Sequence, residues 1–103
     1  MFTVRITRSG QTLEYEHGEG ILELGRGPQR KHKRLTIRDQ SISRDQLQIE
    51  EFVDGRVRIK NLSSSREVRL GDAGAIAIGE VREHSLPVRM SFGKTRVEIL
   101  TGR

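Results

Sequence analysis

The chain of 103 residues contains no cysteine and no tryptophan, two prolines, and only three phenylalanines and one tyrosine as its aromatic residues. Without cysteine there is no disulfide framework and no thiolate metal site, so packing alone must hold the fold; a reducing, cytoplasmic setting suits such a chain. Long apolar runs are missing too. The longest stretch free of charge, Ala73 to Gly79, is far too short to cross a bilayer, and no apolar signal-peptide core follows Met1. No membrane partner is expected. The scarcity of aromatics also disfavours nucleic acid, which single-strand binders hold on exposed rings. Phe2, Tyr15, Phe52 and Phe92 all fall at or near strand positions that look buried.

What the chain has instead is charge. Apolar residues make up 33% and charged residues 32%, with 19 Lys and Arg against 14 Asp and Glu, a formal net charge of +5. A thin core under a heavily charged surface follows, together with a field that favours an anionic partner. Low hydrophobicity with net charge approaches the composition of disordered chains, but here the apolar residues are regularly spaced. The length fits a single domain, residues 1–103.

The spacing has period two. Phe2, Val4 and Ile6 alternate with Thr3, Arg5 and Thr7, and Leu13 and Tyr15 alternate likewise beyond a turn at Ser9-Gly10. Ile21 to Leu24, Leu35 to Ile37, Gln46 to Phe52, Val57 to Ile59, Val68 to Leu70, Ala75 to Ile78, Leu86 to Phe92 and Thr95 to Leu100 complete a set of short strands with no helix. Asp54-Gly55 is a favoured two-residue hairpin turn, and Pro28 with its neighbouring glycines ends the third strand. Roughly ten short strands with Gly-rich turns predict an all-β, two-sheet antiparallel β-sandwich or a barrel.

Enzyme chemistry finds no support. There is no Gly-x-Ser-x-Gly elbow, and Gly18, Gly20, Gly25 and Gly27 flank a strand instead of opening a helix, so they form no dinucleotide fingerprint. His17 with Glu14, Glu16 and Glu19 is the nearest approach to a metal set, and it reads as the exposed end of a hairpin. No cofactor and no catalysis are expected.

Three segments are not explained by packing. From Arg26 to Arg38 the chain carries Arg26, Arg30, Lys31, Lys33, Arg34 and Arg38 with His32 and no carboxylate, a run that suits a solvated loop or a polyanion-binding patch. Ser41-Ile42-Ser43-Arg44-Asp45-Gln46 precedes a strand, and Asn61-Leu62-Ser63-Ser64-Ser65-Arg66 follows one. Each alone is an ordinary polar turn, since Ser and Asn side chains bond nearby backbone groups.

Their order is more specific. Gly25-Arg26, then Ser43-Arg44, then Asn61-Leu62 and serines resembles the forkhead-associated (FHA) domain over nearly the whole chain. In that family a Gly-Arg pair, a Ser-Arg-x-His element and an Asp-Leu-x-Ser-x-Asn-Gly element lie on neighbouring loops at one end of a SMAD/FHA-like sandwich. The resemblance implies a non-catalytic module for phosphothreonine peptides, used in signalling through protein–protein contacts. It implies that Gly25 makes the turn presenting Arg26, that Arg26, Ser43 and Arg44 meet the phosphate, and that Ser64, Ser65 and Arg66 lie close to it. Gln46 and Asn61 would support the loops, and Arg30, Lys31, Lys33 and Arg34 would steer acidic partners toward them. The sequence departs from the family at Gln46, where histidine is usual, and at Arg66-Glu67, where Asn-Gly is usual. Those departures keep two other readings open, a scaffold for phosphate-independent protein contacts and a polyanion binder.

Overall fold

The computed structural model describes residues 1–71 and 74–102. Among them run eleven strands: β1 (Phe2–Arg8), β2 (Gln11–His17), β3 (Leu22–Gly25), β4 (Lys33–Thr36), β5 (Leu47–Val53), β6 (Arg56–Asn61), β7 (Val68–Arg69), β8 (Ala75–Ile76), β9 (Val81–Ser85), β10 (Val88–Phe92) and β11 (Thr95–Thr101). One sheet has the order β2-β1-β11-β10-β7-β8 and the other β4-β3-β5-β6-β9. The all-β sandwich expected from the sequence is the fold observed.

The period-two residues are what bind the sheets together. Phe2, Val4 and Ile6 of β1, Met90 and Phe92 of β10, and Val97 and Ile99 of β11 are buried from one side. Leu22, Leu24, Leu47, Ile49, Val57 and Ile59 are buried from the other, and all join one core. Their alternate neighbours, Arg5, Arg58 and Glu98 among them, face outward and pair across strands. At the first hairpin Arg8 opposes Gln11, and Ser9 and Gly10 sit at φ of 51° and 77°. Both central residues of such a turn need positive φ for its twist to match the strands.

Four expectations change. The sandwich is not wholly antiparallel, because β3 and β4 run parallel, with Leu22 opposite Lys33 and Gly25 opposite Thr36. A four-residue strand is only about 13 Å long, so the short Arg26–His32 connection reaches back to its start. Strand β9 was not expected: Val81 is its one apolar residue and it pairs only with β6, so it has no apolar period to read. His17 is buried, not exposed: its ring lies 5.2 Å from that of Phe2, and its Nε2 is 3.0 Å from the Gly20 carbonyl oxygen. Phe52 stands half-buried at an irregularity in β5, with the Arg58 guanidinium 4.4 Å from its ring centre. No group of three metal-ligating side chains occurs among the described residues.

Candidate functional site

The parallel pairing of β3 and β4 decides where the loops go. Both strands end at the same edge, where β2, β5 and β11 begin and β1, β6 and β10 finish, so five connections meet at one end of the sandwich. The backbone stitches them together: Arg26 N–H donates to the Ser43 carbonyl (3.1 Å), Gly27 N–H to that of Arg44 (3.0 Å), and Leu62 N–H to that of Gln46 (3.0 Å). Gly25 is a matter of room. A Cβ there would lie 2.2 Å from the Arg44 carbonyl oxygen, and its φ is not positive, so close approach and not a tight turn requires the glycine.

Buried amides set the loop shapes. Gln46, fully buried, accepts the Ser43 N–H at 2.9 Å, and Asn61, also fully buried, accepts the Ser63 N–H at 3.1 Å. Asn61 Nδ2 donates to the carbonyls of Arg66 (2.7 Å) and Ile76 (3.0 Å). The β6–β7 loop is thus held by its own side chains, and Glu67 has no positive φ.

Ser63, which sequence reading passed over, supplies the central link. Its Oγ accepts the N–H groups of Ser65 (3.0 Å) and Arg66 (2.9 Å) and lies 2.6 Å from Ser43 Oγ. A hydroxyl has two acceptor positions and one proton. With both positions taken by the Ser65 and Arg66 N–H groups, donation from Ser63 to Ser43 completes the set and leaves the Ser43 proton available to another acceptor. A chain of this kind also polarises the last hydroxyl.

Ser43 opens into a depression of about 440 Å³ lined by Arg26, Arg44, Ser64, Ser65 and Arg66. Arg26 is anchored by its Nε to the Ile42 carbonyl at 3.1 Å, which leaves the outer face of its guanidinium available. Neither Arg44 nor Arg66 has a carboxylate within ion-pair distance among the described residues. Asp45 is the one carboxylate on the wall among the described residues, and it is already engaged: both its oxygens lie 2.7 Å from Arg30 Nη2, and Oδ1 lies 2.6 Å from Arg34. Hydrogen bonding from Arg34, then from Arg30, holds the Asp45 carboxyl below its ordinary pKa against the opposing effect of burial.

The expected steering cluster breaks up. Lys31 and Lys33 are exposed, but Lys33 opposes Leu22, roughly 10 Å down the strand from the loop end. Arg30 is committed to Asp45. Arg34 does not steer at all: its side chain is 2% exposed and lies beneath the loops, bonded to Glu23 (2.8 Å), Asp45 and the Arg44 carbonyl (2.7 Å). Burial lowers the Arg34 pKa, but the bonds to Glu23 and Asp45 outweigh it and the net shift is upward.

A second latch ties in the β10–β11 turn. The buried Asp39 carboxylate accepts the Ser41 N–H (2.8 Å), the Thr95 hydroxyl (2.6 Å) and the Lys94 N–H (3.3 Å). Burial pushes its pKa up, yet the bonds from Ser41, Thr95 and Lys94 prevail and lower it from 3.8 to about 2. A folded value below the unfolded one contributes stability that is complete above pH 3.8 and is lost as pH falls through about 2. Urea unfolding at stepped pH is expected to show about 2 kcal/mol of acid-linked stability in the wild type that Asp39→Asn lacks. Parallel curves for the two proteins would overturn that assignment.

No protein-family model matches the sequence, and no curated protein matches it. Solved structures do. The FHA domain of CT664 from Chlamydia trachomatis superposes with a TM-score of 0.79 at 20% identity, covering 99% of this chain and 98% of that one. This is the FHA fold. The FHA domain of MEK1 in complex with the HOP1 pThr318 peptide gives a TM-score of 0.67 at 14% identity, covering 97% of each chain. The cytoplasmic domain of PscD, a type III secretion sorting-platform protein of P. aeruginosa, gives 0.72 at 24% identity, covering 99% and 81%. On this FHA fold the Gly-Arg, Ser-Arg and Asn-Leu-Ser segments occupy adjacent loops around one depression.

Proposed function

We propose that the loop end of this FHA fold binds a phosphothreonine peptide without catalysis, as an adaptor for protein–protein contacts in cytoplasmic signalling. The observation that carries the reading is that Ser43 lines one depression with Arg26, Arg44 and Arg66, its hydroxyl linked to Ser63. A phosphorylated side chain carries about −1.5 to −2 charges and three acceptor oxygens, which one hydroxyl and several planar guanidinium groups satisfy together. The neighbouring fold of MEK1, held with a phosphothreonine peptide, supports the choice of ligand. Arg66 stands where the family's resemblance would place an asparagine, and a guanidinium donates only. Recognition here therefore rests on the phosphate more than on the peptide backbone.

Isothermal calorimetry with a phosphothreonine peptide library and its dephosphorylated twin tests this. Binding is expected only for the phosphorylated library and is expected to weaken at least tenfold in Arg26→Ala, since hydrogen bonds to charged groups are each worth about 1.5–3 kcal/mol. Raised salt is expected to weaken it further. Equal heat from both libraries would replace this reading with phosphate-independent protein contacts.

A further inference from the structure

The outer face of the six-stranded sheet carries two adjacent cross-strand rows of opposite character. In one, Arg89, Glu98, Arg5 and Glu14 alternate in sign across β10, β11, β1 and β2. They neutralise one another, at 3.0 Å for Arg89–Glu98, 3.2 Å for Arg5–Glu98 and 2.8 Å for Arg5–Glu14. In the next row, nearer the loop end, Arg69 opposes Ser91, Ser91 opposes Arg96 and Arg96 opposes Thr7. That row has no carboxylate, and neither Arg69 nor Arg96 has an ion-pair partner among the described residues.

The unpaired row is continuous with the loop site. A hollow of about 320 Å³ shares Ser65 and Arg66 with the loop-end depression and adds Arg69 and Ser91, with Glu67 its one carboxylate among the described residues. A second, of about 370 Å³, continues from Ser91 to Arg96, and its only carboxylate among the described residues, Glu98, is already held by two arginines. Arg69 follows Arg66 by three residues, so their Cα atoms are at most about 11 Å apart. Arg96 lies two strand spacings beyond Arg69, roughly 10 Å.

We propose that Arg69, Ser91 and Arg96 form a second phosphate site that takes another phosphorylated side chain of the same peptide. The proposal rests on the loop-end reading for the first phosphate. Two guanidinium forks on either side of a hydroxyl match a group with three acceptor oxygens, whereas a carboxylate would be satisfied by one fork. An extended peptide advances about 3.3 Å per residue, so the two phosphorylated residues lie about three to six positions apart.

The test uses peptides carrying one phosphothreonine and, three to six residues to either side, phosphoserine, serine or glutamate. At one spacing at least, the second phosphate is expected to tighten binding tenfold or more over serine. Arg69→Ala/Arg96→Ala, two exposed positions, is expected to abolish that gain and leave the singly phosphorylated peptide within twofold of wild type. No gain at any spacing, a gain that survives the double variant, or an equal gain from glutamate would each overturn the proposal. Amide NMR with phenyl phosphate separates the two sites. In Arg26→Ala the probe is expected still to shift the amides of Arg69, Ser91 and Arg96, even if the loop-end reading is wrong. Absence of those shifts in Arg26→Ala, while the wild type binds the singly phosphorylated peptide, would remove the second site alone.

Discussion

Arg34→Ala is expected to lower stability by about 3–5 kcal/mol, the usual cost of removing one partner from a buried ion pair. Glu23 would keep a nearly buried carboxylate without its cation, and the Arg44 and Gly27 carbonyls would each lose one of their two donors. Asp45 would suffer less, because Arg30 still reaches it. For a domain of this size the loss corresponds to roughly 15–30 °C in Tm, readable by calorimetry or urea unfolding. Arg34→Met/Glu23→Gln is expected to recover a good part, since it removes the orphaned charge along with its cause. Phosphopeptide affinity is expected to fall in Arg34→Ala although Arg34 does not line the loop-end depression, because it holds the Arg44 carbonyl and so the loop beside Ser43. A loss under 1 kcal/mol would mean that water replaces the guanidinium and that Arg34 is no brace.

Nothing in the sequence separates Arg34 from the exposed cations around it. Arg30, Lys31, Lys33 and Arg34 form one basic run, and only the parallel pairing of β3 with β4, which sets Glu23 opposite Arg34, turns the last of them inward. The faint signal was Glu23 itself, a carboxylate between two leucines in a strand that proves buried throughout. Asp39 was hidden in the same way: Arg38-Asp39-Gln40 reads as a polar turn, and its Thr95 and Lys94 partners are more than fifty residues away in the chain.

The strands with a packed face were readable because burial imposes a period. β1, β5, β6, β10 and β11 show it in their apolar residues, whereas β9, at a sheet edge, packs too little to need one. In the loops, Arg26, Ser43, Arg44 and Ser64 to Arg66 could be picked out by residue type and order, and the structure gathers them on one depression. Ser63 could not, being one of three successive serines. Its distinction lies in following Asn61 by two residues, the spacing at which an Asn side chain bonds the backbone ahead of it.

Gly25→Ala sets two effects of opposite sign against each other. At a residue without positive φ, adding a methyl restricts the unfolded chain and ordinarily stabilises by about 0.4–1 kcal/mol. Here that methyl would stand 2.2 Å from the Arg44 carbonyl oxygen and 3.0 Å from Arg34 Nη1, and the carbonyl belongs to backbone bonded to Gly27 and Arg34. Overpacking of this kind costs about 1–3 kcal/mol and more where backbone must move, so the clash is expected to win by about 2 kcal/mol or more. Gly18→Ala, with no atom within 4 Å of the new methyl and no positive φ, is the matched control and is expected to gain about 0.4–1 kcal/mol over wild type. Because the displaced segment carries Ser43 and Arg44, Gly25→Ala is expected to lose phosphopeptide binding even below its unfolding temperature, while Gly18→Ala keeps it. A Gly25→Ala protein as stable as wild type and still binding would show that the loop gives way freely, and that the close packing of Arg44 over β3 does not position the phosphate donors.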